Sequence, residues 1–251
     1  MIRLVALLLF CALPLKAEEV VAGLSHNRVS ITANFDGSEI LIFGAIKRDA
    51  PAPDTGRLGI IITVAGPATK ATVRKKSKRF GIWLNTEAVT IDVAPSLYAV
   101  ATSAPLYDIL TATEDLRYKI STPRAIRSVG APADVADPES FTEALIRIRT
   151  KNRLYQLSPE SVIVAEQTLF RTSVALPANL TEGVYTARIF LTRNGNVVDT
   201  LETSIDVRKV GLERWLFRLA HEQPLIYGFL SLFIAVTAGW GASTVFRLIR
   251  G

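Results

Sequence analysis

Apolar and polar positions alternate in short runs between residues 28 and 104, and Gly, Pro, Asn and Lys separate the runs. This period of two is typical of strands that bury one face, and closely spaced strands favour a β-sandwich. Asp36-Gly37 lies between two apolar runs and predicts a hairpin there. A second strand series occupies residues 161–207, where Asn194-Gly195 predicts another hairpin. The pattern predicts a mainly β fold with one or two immunoglobulin-like sandwiches.

The middle of the chain follows a helical period instead. Residues 105–110 predict one or two helical turns, and a helix with Pro138 near its first turn is expected to run to about Lys151. Residues 123–137 are rich in Ala, Pro, Asp and Arg and are interpreted as a linker. The predicted order is a first β region at 18–104, a helical segment and linker at 105–155, and a second β region at 156–208.

The N-terminal end carries the first of two strongly apolar segments. Residues 1–17 combine Arg3, an apolar run from 4 to 13, and Ala17, which together predict a cleavable export signal. The run is too short for a bilayer, which needs about 20 apolar residues; retention as an uncleaved anchor is the alternative. Cys11 is the one cysteine of the chain. The mature protein is therefore expected to lack disulfides and thiolate sites.

The C-terminal end carries the second apolar segment. Residues 225–246 contain no charged side chain and predict a transmembrane helix at 224–246, against the alternative of a buried core helix. Residues 209–223 predict a juxtamembrane amphipathic helix with Trp215 towards the lipid interface. The tail at 247–251 carries two arginines, which predict a cytoplasmic C-terminus and a β region outside the cytoplasm.

The chain has a net charge of +6, and its densest basic run lies between two predicted strands. The run consists of Arg74, Lys75, Lys76, Lys78 and Arg79. Because the export signal directs it away from the cytoplasm, a nucleic-acid partner is not expected. A solvated hairpin end is one interpretation, and contact with anionic headgroups, a glycan or an acidic partner is the other.

Small residues cluster in the predicted span. Gly239 and Ser243 are four residues apart and share one helix face, where small side chains allow a second helix to approach closely. Helix packing against a membrane partner is one interpretation, and ordinary single-span composition is the other.

Catalytic and metal-binding patterns are not recognisable in the sequence. The two histidines, His26 and His221, lie far apart, and no phosphate-binding glycine loop or nucleophile elbow occurs. We expect no enzyme activity, no cofactor and no metal. Trp83 lies in the apolar run 81–85 and is predicted to bury its indole in the sandwich core, with a ligand-stacking platform as the alternative.

Several stretches resemble the Alph_Pro_TM family of alphaproteobacterial transmembrane proteins. They are VSITANFDGSEILIFGA at 29–45, GIWLN at 81–85, PSLYAV at 95–100, LFR at 169–171, LPA at 176–178 and GVY at 183–185. The resemblance implies a single-pass protein of the bacterial inner membrane with a periplasmic β region, and it brings no catalytic residues. We expect an accessory protein that contacts another membrane protein, such as a transporter. A periplasmic module that binds or senses a small anion or an envelope polymer is the alternative.

Overall fold

The chain forms two compact units in the computed structural model. The described residues are 18–32, 35–48, 56–128, 135 and 137–250, with side chains described at all of these except 212–214, 218 and 244–250. The first unit runs to Val29 and continues over Asp36–Val207; the second comprises Ser30–Phe35 and Arg208–Gly251. The predicted export signal at 1–17 lies outside the described residues.

Strands dominate the described chain, which confirms the prediction of a mainly β fold. They are β1 (Glu18–Leu24), β2 (Arg28–Ile31), β3 (Gly37–Arg48), β4 (Leu58–Ala65), β5 (Ala68–Arg79), β6 (Ile82–Pro95), β7 (Tyr98–Thr102), β8 (Tyr155–Ser158), β9 (Ile163–Ala165), β10 (Leu169–Pro177), β11 (Gly183–Arg193) and β12 (Asn196–Lys209). The helices between β7 and β8 are α1 (Leu106–Ile109), α2 (Ala112–Tyr118), α3 (Thr122–Ala125) and α4 (Glu139–Lys151).

The described strands form three curled sheets. Their orders are β1-β3-β10-β9, β2-β12-β11-β4-β7-β8 and β5-β6. β3 pairs with β10 and β4 pairs with β11, so both β regions contribute to each of the two larger sheets. β7 and β8 pair in parallel, with the helical segment connecting them. Strands distant in sequence therefore meet in one unit.

Burial follows the alternation that the sequence predicts. β10 buries every second side chain from Phe170 to Leu176 and exposes the residues between them. β4 is buried at every position from Gly59 to Val64, and it lies in the interior of its sheet between β7 and β11. The core cluster around Ile61 and Phe190 also takes in side chains from the helical segment.

Arg149 fixes α4 against the six-stranded sheet. Its guanidinium donates hydrogen bonds to the Pro95 carbonyl and, at 3.1 Å, to the Tyr155 hydroxyl, and it lies 5.3 Å from the Tyr155 ring centroid. Phe141 and Leu145 on the same helix are buried. These contacts place α4 beside the base of the β5–β6 hairpin, where Phe141 packs with Val73 and Val89.

The two hairpin predictions have opposite outcomes. Asn194-Gly195 joins β11 to β12 as predicted. The hairpin predicted at Asp36-Gly37 is wrong, because β2 pairs with β12 while β3 pairs with β1 and β10. Gly37 does adopt a positive φ of 122°, but the chain there passes from one sheet to the other.

The second unit consists mainly of two helices, α5 (Leu212–Glu222) and α6 (Pro224–Arg250). The segment Pro224–Ser243 of α6 is long and apolar enough to cross a membrane, and none of its residues is buried. Among the described residues this is the one candidate span. In α5, Trp215 and Phe217 are more than half exposed, and the Phe217 ring stacks on His221 at 4.0 Å between centroids.

Candidate functional site

The β5–β6 hairpin carries all five residues of the predicted basic run. Its base is built into the fold, because Ile91 and Val89 are fully buried and Ala71 and Val73 pack on the core. Beyond this base the hairpin leaves the core, and no side chain from residue 74 to residue 88 is buried. At about 3.3 Å per residue, the six steps from Val73 to Arg79 extend the exposed arm by about 20 Å.

The hairpin closes with a two-residue turn at Phe80-Gly81. Both residues have positive φ, 50° at Phe80 and 86° at Gly81, as in a type I′ turn. Glycine adopts this geometry without steric cost, and Asn tolerates it, but a bulky side chain in the left-handed region is an outlier. Phe80 gains no burial in return, since its side chain is fully exposed at 103%.

Cross-strand pairing distributes cations and apolar groups over both faces of the hairpin end. Lys78 is paired with Trp83, and the next pair, Arg79 with Ile82, projects to the opposite face. Ser77 is paired with Leu84 on the same face as Arg79. Each face therefore presents at least one cation beside an apolar side chain.

Trp83 does not have the predicted environment. Its indole is 66% exposed, so the prediction that it lies in the sandwich core is wrong. Ile82 and Leu84 are also exposed, at 59% and 44%. The sequence shows an apolar run, but the strand extends past the edge of the core that would have covered it.

The basic run is unevenly paired. Lys75 forms a 3.4 Å ion pair with Glu87 across the hairpin. Within the part of the chain that the structure describes, no salt bridge involves Arg74, Lys76, Lys78 or Arg79. Residues 74–88 contain five cations and one carboxylate, a net charge of +4. This arm is an exposed cationic surface.

A groove lies between the hairpin and α4. It has a volume of about 400 Å³. Four basic residues line it, Arg74, Lys75, Lys76 and Arg147, together with Glu143, Phe141 and Ile148. The groove joins the basic run to a cation that lies more than seventy residues later in sequence, a proximity that spacing alone does not reveal. Three of the predicted site residues thus line a concave surface suited to an anion.

A buried ion cluster lies at the start of the described chain. The Glu18 carboxylate accepts hydrogen bonds from Arg48 Nε and Arg193 Nη2, both at 2.7 Å. All three side chains are at most 14% exposed. Burial alone raises the pKa of Glu18, but hydrogen bonds and charges from Arg193 and Arg48 outweigh it and hold the pKa below its usual value. The cluster is structural: it joins β1 to β3 and β11.

The buried tyrosines are also structural. Desolvation raises the pKa of Tyr98 to about 12, although Arg188 acts in the opposite direction. The Tyr98 hydroxyl donates to the Ile120 carbonyl at 2.7 Å, which ties β7 to the helical segment. A phenol with this pKa stays protonated at neutral pH and serves as a hydrogen-bond donor.

The outer face of the four-stranded sheet carries exposed apolar side chains around Arg171, a feature that the sequence pattern did not predict. Val21, Leu41, Phe43, Ile163 and Leu169 are each 42–56% exposed there. Burial alternates along β3, so Phe43 lies on the face opposite to that of the buried Ile42. The sequence did show apolar residues on both faces of this strand. An apolar outer face requires apolar residues on both sides of a strand, which a sequence pattern does not distinguish from full burial.

Gly239 and Ser243 lie on the exposed candidate span. A Cβ at Gly239 would meet no atom within 4 Å, and Ser243 is exposed. The same open space surrounds Gly228, eleven residues earlier. Among the described residues, no group of three or more His, Cys, Asp or Glu side chains is arranged to hold a metal ion.

These features define a β-rich protein with one C-terminal helix that is able to span a membrane. The family described as "Putative transmembrane protein (Alph_Pro_TM)" matches residues 19–248, and the chain belongs to this family. The family resemblance noted from the sequence is therefore confirmed.

Other comparisons add little. No curated protein matches the chain. The crystal structure of Spo0M, a sporulation control protein from Bacillus subtilis, aligns with 78% of this chain and 50% of its own, at 10% identity and a TM-score of 0.28. This chain thus spans about half of the Spo0M chain, and a likeness this small carries no argument about fold or function.

Proposed function

We propose that this protein is a non-enzymatic accessory protein of the bacterial inner membrane that contacts another membrane protein, such as a transporter. One observation carries the proposal: Gly239 and Ser243, four residues apart, place two small side chains on one face of the candidate span. In hydrocarbon, helices gain little from apolar burial, so close backbone approach supplies much of their attraction. The exposed outer face of the four-stranded sheet offers a second contact for such a partner.

Matched glycine variants test this contact. Gly239→Leu fills the small-residue face. Gly228→Leu adds the same side chain to the helix at a position flanked by the bulky Tyr227 and Phe229. We expect Gly239→Leu to reduce recovery of a membrane partner from native membranes, as identified by mass spectrometry, while Gly228→Leu recovers as much as wild type. Equal recovery with both variants would assign the span a purely anchoring role.

The proposal includes a periplasmic β region and a cytoplasmic C-terminus. The two arginines of the 247–251 tail support this orientation through the positive-inside bias. A reporter active only in the periplasm should be active when fused after Val207 and inactive when fused after Gly251; the reverse pattern would contradict the orientation.

The finer fold proposal is that the two larger sheets form an immunoglobulin-like sandwich. The Tyr185 hydroxyl donates to the Thr181 carbonyl, four residues upstream, at 2.8 Å. This contact resembles the tyrosine corner of immunoglobulin-like domains. An experimental structure in which the two larger sheets do not face one another would contradict the proposal.

A periplasmic sensing module is the second candidate, and the basic groove favours it. Arg147 and Arg74 line one concavity of about 400 Å³, large enough for a small oxyanion. Isothermal titration of the full chain in detergent with sulfate and with phosphate should then give saturable heat that Arg147→Gln reduces. If neither anion gave binding heat, sulfate and phosphate would be excluded as the class of ligand.

A further inference from the structure

The end of the β5–β6 hairpin combines exposure, charge and an unfavourable turn residue. Phe80, Ile82, Trp83 and Leu84 are 44–103% exposed, and Lys78 and Arg79 immediately precede the turn. Stability of the fold does not explain this composition. Asn-Gly satisfies the same turn without strain, and apolar groups that stay 44–103% exposed at a hairpin end gain little from folding.

We infer that this end, residues 78–84, is a membrane-docking tip that inserts into the interface of an anionic bilayer. The inference is independent of the proposed partner protein, because it concerns lipid contact by the β region. Phe80 and Trp83 supply aromatic groups suited to the interfacial layer, and Lys78 and Arg79 supply charges that match anionic headgroups.

The arrangement of the tip favours lipid over a protein groove. A groove covers one face of a hairpin, but here apolar groups occupy both faces, with Trp83 on one and Ile82 on the other. Lipid surrounds an inserted tip on all sides. Leu84 lies three residues after Gly81, so the apolar part is about 10 Å long, comparable with the ~5–10 Å that interfacial elements penetrate.

Two cations lie within the tip itself. Arg79 is level with Ile82 and Lys78 with Trp83, so both enter the interfacial layer with the apolar groups, and Lys76 follows on the Lys78 face. Long basic side chains reach outward to phosphate while their stems stay beside apolar groups. In 74–88 the one carboxylate, Glu87, already pairs with Lys75. An anionic surface therefore meets little repulsion.

Depth measurements on the full chain test the inference. Single-cysteine variants Phe80→Cys and Thr72→Cys, both carrying Cys11→Ala, would be labelled with the environment-sensitive dye NBD. They would be reconstituted in nanodiscs of phosphatidylcholine, or of phosphatidylcholine with phosphatidylglycerol at a ratio of 3:1. Thr72 is the matched control, because it is exposed on the same strand about 26 Å from the turn.

We expect a blue shift and quenching by doxyl-labelled lipid at position 80 in the anionic discs, and neither at position 72. Lys78→Gln with Arg79→Gln should weaken the interaction about fivefold for each charge removed, and high salt should weaken it as well. A solvent-like spectrum at position 80 in anionic discs would overturn the inference. Protection of position 80 only in native membranes, and not in the anionic discs, would also overturn it and assign the tip to a protein partner.

A second variant separates docking from folding. Phe80→Asn suits the turn, so it should keep or raise the melting temperature. With NBD on Trp83→Cys as the reporter, Phe80→Asn should also reduce lipid quenching at position 83. A lowered melting temperature would show that Phe80 supports the fold, and unchanged quenching would show that it does not dock; either result would overturn its proposed role.

Discussion

Two hairpins in this protein share a turn geometry but differ in the chemistry of the turn. The β11–β12 turn has φ of 51° at Asn194 and 78° at Gly195, and the β5–β6 turn has 50° at Phe80 and 86° at Gly81. Asn194 is held in place, since its side-chain oxygen accepts from the Arg57 amide at 3.2 Å. Phe80 is fully exposed. Where the turn serves the fold, the favoured residue is present; where it does not, an unfavourable apolar residue stands exposed.

The ion pairs near the two hairpins differ in the same way. Arg193, next to the β11–β12 turn, binds the buried Glu18. Lys75 on the other hairpin binds Glu87, and their side chains are 58% and 34% exposed. Buried pairs are costly to break, whereas exposed pairs contribute little. One hairpin is a structural element of the core, and the other is an arm available for contacts.

The largest expected effect is the loss of the buried carboxylate. Glu18→Ala leaves the guanidinium groups of Arg48 and Arg193 buried without their partner, and we expect it to lower the free energy of unfolding by about 3 kcal/mol. Glu87→Ala is the matched control on the exposed arm, with an expected loss below about 1 kcal/mol. Urea unfolding followed by circular dichroism measures both. Similar losses would remove the distinction between the hairpins.

Placing the apolar turn residue in the structural hairpin should have the next largest effect. Asn194→Phe loses the hydrogen bond to Arg57 and puts a bulky side chain at positive φ, so we expect a loss of about 2 kcal/mol. The turn is also confined, because the Gly195 carbonyl accepts from the Thr111 amide at 2.9 Å. Thermal unfolding measures the change. A variant as stable as wild type would show that the β11–β12 turn is not constrained.

Lowering the pH should remove the stability that the Glu18 cluster contributes. A carboxyl whose pKa is lowered in the folded state contributes stability that is fully present above its ordinary pKa of 4.5 and is lost as the pH falls through the folded value. The stability difference between wild type and Glu18→Gln should therefore be constant near neutral pH and shrink below about pH 4.5. Urea midpoints measured from pH 7 to pH 3 test this, and a constant difference throughout would contradict the lowered pKa.

The smallest expected effect has the opposite sign. Phe80→Asn relieves strain at an exposed turn and should raise the free energy of unfolding by about 0.5–1 kcal/mol. The gain should be largest for the hairpin itself, so hydrogen exchange at the amides of β5 and β6 should slow. Faster exchange would indicate that Phe80 makes contacts that hold the arm together.

Local pattern determined much of this protein. Alternation predicted most strands, the Asn194-Gly195 hairpin followed from turn chemistry, and the apolar run at the C-terminus identified the candidate span. It also placed the basic run at a hairpin end. Each of these features depends on residues close together in sequence, where backbone preference and periodicity act directly.

Tertiary structure decided what covers each strand. The Asp36-Gly37 segment passes between sheets, Trp83 lies beyond the edge of the core, and Arg147 meets the basic run in one groove. Glu18 and Arg193 form an ion pair across 175 residues. A period of two shows that the faces of a strand differ, but not which strand pairs with it or where the core ends. Those outcomes depend on pairing between distant segments, and the sequence of one segment does not specify its partner.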